Sequence, residues 1–187
     1  MNENTAVTLY PYSFSYRGEQ RLLFWFSDEQ GDCFVRNNQG DLQIAQSTEE
    51  AFSKYPDLAK FTLWDEAASV SFDIFWSVLE QLDDSMDIDE NAYSTLLNGW
   101  NFIEDLIRTF YMKDVSVSLR SVELDDAYKK IFYNNNIVSD FSASETNHDD
   151  TQLTRAEARQ VSLALSEAWN AIDQQTNIGW GQRGQVG

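Results

Sequence analysis

Several residue types are scarce in this chain, and each scarcity excludes a class of protein or site. Cys33 is the only cysteine, so no internal disulfide can form. His148 is the only histidine, whereas zinc sites built from cysteine and histidine need several such ligands. No hydrophobic run reaches the roughly 18 residues of a membrane-spanning helix. We therefore expect neither a disulfide scaffold, nor a zinc protein, nor a membrane protein.

Basic residues are also scarce, because 13 Lys and Arg face 31 Asp and Glu and leave a net charge of −18. Direct binding to nucleic acid and to anionic membranes is disfavoured, since phosphate contacts need Lys and Arg. Residues 1–5 have neither the basic nor the apolar segment of a signal peptide. We expect a cytoplasmic protein that attracts basic partners.

The shortage of bases is concentrated between Lys60 and Arg108. Residues 61–107 contain no Lys or Arg but contain eleven acids. The simplest explanation is a solvated helix pair whose polar faces happen to be acidic. Solvent-exposed faces usually mix both signs, however, because opposite charges four residues apart stabilise a helix. We therefore interpret this base-free interval as a negative surface selected for binding.

Seven acids of the base-free interval are predicted to bind a partner. Five lie at a break between two predicted helices, where exposure is expected, and the last two lie within the second helix. The seven are Asp83, Asp84, Asp87, Asp89, Glu90, Glu104 and Asp105.

The first half of the chain predicts short strands about ten residues apart, separated by turn residues. These β-prone segments are 7–10, 14–16, 22–26, 33–35, 42–44 and 61–64. Capping boxes at 47–50 and 154–157 each predict the start of a helix. Helical stripes follow from residue 71, at 72–82, 92–110, 124–131 and 158–172.

Gly99 lies inside the longest helical stripe, where it would allow another element to approach closely. Residues 115–119 alternate between apolar and polar and predict one more strand. The expected fold class is α+β, an N-terminal antiparallel β-meander packed against a helical C-terminal half. We expect a single domain over 1–175, with a polar loop at 141–152 and a flexible glycine-rich tail at 176–187.

Motifs for chemistry are weak. Residues 87–91 begin like a calcium loop, but the sixth position is Ala92 instead of Gly and the twelfth is Asn98 instead of Glu. An acidic first helical turn explains the same residues. A carboxylate-based enzyme is a minor alternative, because 31 acids produce close pairs by chance. We expect no catalysis, no metal and no cofactor.

Residues 72–80 and 96–106, which follow a predicted hairpin at 37–41, resemble the two-helix part of bacterial immunity proteins of contact-dependent growth inhibition systems. The resemblance implies a small cytoplasmic protein that binds and blocks a toxin domain, in many cases a nuclease with a basic active site. It assigns no functional residue. The alternative is a regulatory or adaptor protein that binds a basic protein partner.

Overall fold

The chain divides into two compact units, Met1–Ile74 and Phe75–Gly187. The strands lie in the first unit and most of the helices in the second, which confirms the predicted α+β class. The structure, a computed structural model, describes residues 7–28, 31–65, 68–84, 90–136 and 152–176.

Two expectations from the sequence fall mostly on residues that the structure does not describe. The predicted polar loop, 141–152, is described only at Gln152, and the predicted tail, 176–187, only at Thr176. The expectation of a single domain over 1–175 stays a prediction.

The first three strands form the predicted antiparallel meander: β1 (Thr8–Tyr16), β2 (Glu19–Asp28) and β3 (Gly31–Phe34). Strand β1 is continuous, although its residues were predicted as two strands. The turn between β1 and β2 consists of Arg17 and Gly18, with φ angles of 55° and 73°. Two positive φ angles match the right-handed twist of a tight hairpin.

Two short strands, β4 (Thr62–Leu63) and β5 (Ala68–Ser71), pair in parallel with β1 and make the sheet mixed. Strand β4 was predicted, whereas β5 was not. Pro11 of β1 pairs with neither of them, because β4 is opposite residues 8–9 and β5 is opposite residues 12–15. Proline has no N–H for a ladder hydrogen bond, so the break between β4 and β5 falls where β1 cannot donate one.

The predicted strand at 42–44 is wrong. Leu42 and Ala45 form only isolated bridges, to Arg36 and Leu22. Between them, the N–H of Gln43 donates to the carbonyl of Val35 at 3.1 Å, so the segment hydrogen-bonds to two different partners, Val35 and Leu22, without forming a continuous ladder with either.

Helix α1 (Thr48–Lys54) begins at the predicted capping box. The backbone N–H of Glu50 donates to Ser47 Oγ at 3.2 Å, and the Glu50 carboxylate accepts the backbone N–H of Gln46 at 2.8 Å. A 3₁₀ turn (Pro56–Lys60) follows. One face of the sheet packs with these two elements around a buried core of Leu9, Leu22, Phe24, Ala45, Ala51 and Leu58.

The remaining helices are α2 (Phe72–Asp84), α3 (Glu90–Thr109), α4 (Lys113–Leu119), α5 (Val122–Asn136) and α6 (Arg155–Thr176). The helical stripes of the sequence predicted α2, α3, α5 and α6. In the second unit, α3 packs against α4, α5 and α6. Its buried residues include Leu96, Trp100 and Ile103, which are at most 1% exposed.

The prediction of a strand at 115–119 is wrong, because these residues form most of α4. Leu119 is buried and Val115 is half-buried four residues earlier, whereas Val117 is 73% exposed. The burial therefore follows the period of a helix, in which i and i+4 share a face. Packing against α3 and α6 overrides the β-propensity of the two valines.

Gly99 permits the close approach that its position in the helical stripe predicted. A Cβ added there would lie 2.7 Å from Phe75 Cγ, with the rest of the ring edge closer still. Phe75 is fully buried. The ring of Phe75 on α2 therefore occupies the space that any larger residue on α3 would need.

We expect Gly99→Ala to lower the free energy of unfolding by about 1–3 kcal/mol, because overpacking outweighs the helix propensity gained, about 1 kcal/mol. Urea unfolding measures the change. The matched control is Asn98→Ala, at the exposed neighbouring position, which should be neutral or slightly stabilising. Adding Phe75→Leu should recover part of the loss, and equal stability of Gly99→Ala and the wild type would contradict the contact.

The second capping box also forms, and it joins α6 to α5. Thr154 donates its backbone N–H and its hydroxyl to Glu157 Oε2 at 2.7 and 2.8 Å. Lys130 Nζ of α5 contacts both carboxylate oxygens of Glu157 at 2.9 Å. Burial alone would raise the pKa of Glu157, but the hydrogen bonds from Lys130 and Thr154 outweigh it and hold the pKa below its usual value.

We expect Glu157→Gln to lower the free energy of unfolding by about 1–2 kcal/mol at neutral pH. The folded-state pKa lies below the unfolded value of about 4.5. The stabilisation is therefore complete above that value and is lost as the pH falls through the folded-state pKa. Urea unfolding across this range should show the two proteins converging in acid. Glu167→Gln, at an exposed position of the same helix, should change nothing, and a pH-independent difference for Glu157→Gln would contradict the assignment.

Candidate partner-binding face

Five of the seven predicted binding acids have side chains that lie outside the described residues. Asp83 and Asp84 end α2, Glu90 begins α3, and Asp87 and Asp89 belong to the segment 85–89 between them. The convergence of these five carboxylates on one exposed surface stays a prediction.

Two other acids of the base-free interval have structural contacts. The Asp73 carboxylate accepts the backbone N–H groups of Arg17 and Gly18 at 2.7 and 3.1 Å, which stabilises the β1–β2 turn. Asp105 pairs with Arg108 at 3.0 Å, and their side chains are only 14% and 28% exposed. Asp105 therefore contributes less negative charge to the surface than the sequence suggested.

Glu104, the other predicted acid on α3, is half-buried beside Trp100. The indole N–H of Trp100 donates to Glu104 Oε1 at 3.3 Å. Trp100 itself is 1% exposed. The carboxylate of Glu104 is therefore held at the edge of the core, with its remaining lone pairs available to another donor.

A row of aromatic side chains runs from Trp100 outward along α5. The ring centroids of Trp100 and Tyr128 are 5.2 Å apart, those of Tyr128 and Phe132 are 6.5 Å apart, and those of Phe132 and Tyr133 are 6.1 Å apart. Exposure rises along the row to 45% at Phe132 and 58% at Tyr133. The row therefore begins in the core and ends at the surface.

Tyr128 connects the aromatic row to the two carboxylates of α3. Its hydroxyl donates to Asn101 Oδ1 at 3.0 Å. Burial raises the pKa of Tyr128, and the negative charges of Glu104 and Asp105 raise it further. The phenol consequently stays protonated and keeps its hydrogen bond well above neutral pH.

We call this group of Glu104, Asp105, Tyr128, Phe132 and Tyr133 the α3–α5 face. It combines an aromatic row whose inner members are fixed by packing with the carboxylate of Glu104, whereas the charge of Asp105 is offset by Arg108. Both features are typical of protein interfaces, in which aromatic residues supply most of the affinity and charges supply partner choice. The sequence analysis missed Phe132 and Tyr133, although Tyr-x-x-x-Phe-Tyr at i, i+4 and i+5 marks an aromatic helix face.

No protein-family model, curated protein or solved structure matches this chain. Among the described helices, none is long and apolar enough to cross a membrane. Within the described ranges, no three His, Cys, Asp or Glu side chains come together closely enough to hold a metal ion. The calcium-like segment begins at Asp87, outside those ranges.

A cleft of about 320 Å³ opens beside the α3–α5 face, where α3 turns into α4. Tyr111 makes this turn with a φ of 55°, and its backbone N–H donates to the carbonyl of Arg108 at 3.1 Å. The N–H of Met112 donates to the carbonyl of Ile107 at 3.0 Å. These two bonds form a Schellman motif, in which the left-handed residue is usually glycine.

The first unit also has a concavity, of about 640 Å³, but its charged groups are engaged. Arg21 pairs with Glu19 at 2.7 Å, Glu50 caps α1, and Lys54 Nζ donates to the carbonyl of Ile44 at 3.3 Å. This concavity offers few charged groups to a ligand.

We expect Tyr111→Gly to be more stable than Tyr111→Ala by about 1 kcal/mol, because only glycine adopts the left-handed conformation without steric cost. Both variants remove the ring, so their difference isolates the backbone. Thermal and urea unfolding of the two variants measure it. Equal stabilities would contradict the left-handed turn at residue 111.

Proposed function

We propose that this chain is a non-catalytic binding protein whose partner is a basic protein surface, and that the partner is a toxin domain, of the nuclease class, that it blocks in the cytoplasm. The net charge of −18 and the base-free interval support a basic partner. The observation that carries the proposal is the aromatic row that leads from buried Trp100, the hydrogen-bond donor to Glu104, through Tyr128 to exposed Phe132 and Tyr133.

The aromatic row suits protein binding because its inner members are already ordered. Tyr128 is held by Trp100 and Asn101, so Phe132 stacks on a fixed ring. Little side-chain entropy is then lost when a partner covers the outer rings. Aromatic side chains are among the residues most often found as hot spots of protein–protein interfaces.

The acids would raise the association rate and the selectivity for basic partners more than they raise the affinity. A standard interface buries about 1,600 Å² in total, which exceeds what the five residues of the α3–α5 face can cover. The predicted acids Asp83, Asp84, Asp87, Asp89 and Glu90 would extend it. Complementary charge raises association rates, and it favours partners with a surplus of Lys and Arg.

Blockade of a nuclease would follow from occupancy alone. A nuclease holds substrate phosphate with Lys, Arg or His, and carboxylates on this chain would pair with those same groups. The substrate is then excluded by volume and by charge. No bond has to form or break on this chain, so the mechanism needs no catalytic residue.

The charge prediction concerns a variant with Asp83, Asp84, Asp87 and Asp89 changed to Asn and Glu90 changed to Gln. We expect its association rate with the partner, captured from lysate at low salt, to fall at least about tenfold. The matched control changes five exposed acids outside the interval to amides, namely Glu49, Asp57, Asp114, Glu123 and Glu167. Stopped-flow kinetics over a salt series measures both. An association rate that is the same in both variants would remove the interval from the mechanism.

The same kinetic experiment tests the aromatic row. The double variant Phe132→Ala, Tyr133→Ala should raise the dissociation rate and leave the association rate nearly unchanged. The control Leu163→Ala, at an exposed position of α6, should change neither rate.

A growth assay separates a toxin inhibitor from an adaptor. Expression of the captured partner alone should arrest the growth of the host cells, and co-expression of the wild-type chain should restore growth. A partner that is harmless when expressed alone would favour the regulatory adaptor.

A further inference from the structure

The α3–α4 cleft has an apolar floor and a basic rim. The floor is formed by Ile107, Met112 and Leu119, which are at most 9% exposed. The rim carries Lys113, at the start of α4, and Arg120, its C-cap, each about one helical turn from Val117 on the same side. The volume, about 320 Å³, falls in the range of small-molecule sites.

The charge of the cleft is unusual for this chain. With 31 acids available to 13 bases, carboxylate partners are abundant. Neither Lys113 nor Arg120 forms an ion pair with any residue in the described part of the chain. The bases that do have carboxylate partners there include Arg21, Lys60, Arg108, Lys129 and Lys130.

The other charged residues at the cleft do not cancel both cations. Arg108 lines it but is paired with Asp105, so that pair is neutral. Glu104 is the one acid among the lining residues, and its carboxylate accepts the indole N–H of Trp100. Lys113 and Arg120 therefore leave the cleft positive in a strongly negative protein.

Tyr111 at the mouth of the cleft is a second unusual feature. It occupies a left-handed turn that favours glycine, yet its side chain is 72% exposed and lines the cleft. Core packing therefore does not explain a large aromatic residue at this position. Backbone strain that packing does not require is concentrated at binding sites.

We propose that the α3–α4 cleft binds a small amphipathic carboxylate. The apolar chain of the ligand lies on the floor, beside the ring of Tyr111, and its carboxylate pairs with Lys113 and Arg120. Both parts contribute, because the apolar chain covers the floor and the carboxylate pairs with the two exposed cations. This binding does not depend on the proposed toxin blockade.

Four probes test the chemistry of the ligand on the full chain. Octanoate has both the apolar chain and the anion, octanol and octylammonium keep the chain without the negative charge, and acetate keeps the charge without the chain. Amide chemical shifts in NMR titrations report both the affinity and the location. We expect octanoate to bind most tightly and to shift residues 107–120. Equal affinity for octanoate, octanol and octylammonium, or no octanoate binding, would overturn the proposal.

Two variants test the cations and their position. Lys113→Gln with Arg120→Gln should weaken octanoate binding about tenfold or more, since each cation supplies a charge-assisted contact. The control is Arg155→Gln, another exposed base of this unit outside the cleft, which should leave the affinity unchanged. Equal losses in the variant and the control would show that only net charge matters and would overturn the site.

Two further variants should lose octanoate binding without unfolding the protein. Val117→Glu places a carboxylate on the lining at a position that is 73% exposed, so the fold should be retained while octanoate is repelled. Tyr111→Gly should weaken octanoate binding although it relieves the backbone. Unchanged affinity in Val117→Glu would place octanoate elsewhere and would contradict the proposal.

Discussion

The close contact between Phe75 and Gly99 joins α2 to α3 in the core of the second unit. Because Gly99 has no side chain, the ring of Phe75 can lie against the backbone of α3 and both residues can be buried. Helix α3 also packs on α4, α5 and α6, so its position determines where those helices lie. Trp100 follows Gly99 directly. Glu104 and Arg108 come four and eight residues after Trp100, so the three side chains share one side of α3.

Acidic residues in this chain serve two different purposes. Some stabilise the fold by accepting backbone hydrogen bonds, as Asp73 does at the β1–β2 turn and Glu50 and Glu157 do at helix starts. A carboxylate that is held in this way has little freedom to bind a partner. Two of the predicted acids, Glu104 and Asp105, also have structural partners, and they lie near Tyr128, from which the aromatic row leads outward to the surface. The negative charge attracts a basic partner, whereas the exposed rings provide apolar surface that is buried when the partner binds.

The α3–α5 face and the α3–α4 cleft are adjacent because Glu104 belongs to both and Arg108 of the cleft pairs with Asp105 of the face. Glu104 supports Trp100 on one side and lines the cleft on the other. Arg108 neutralises Asp105 and also lines the cleft. The half-buried polar residues of α3 therefore lie between the aromatic row and the cleft whose rim carries Lys113 and Arg120.

Local interactions determined those features that the sequence predicted correctly. Helices α2, α3, α5 and α6 follow from apolar residues at i, i+3 and i+4, and both capping boxes lie within four residues of chain. The need for a small residue at Gly99 was also visible, although its contact with Phe75 was not. Non-local contacts decided the rest. Helix α4 replaced a predicted strand because packing on α3 and α6 selects the i, i+4 face, and β5 pairs in parallel with a strand more than fifty residues earlier. The aromatic row and the basic cleft arise where α3 meets α5 and α4, so only tertiary packing brings their residues together.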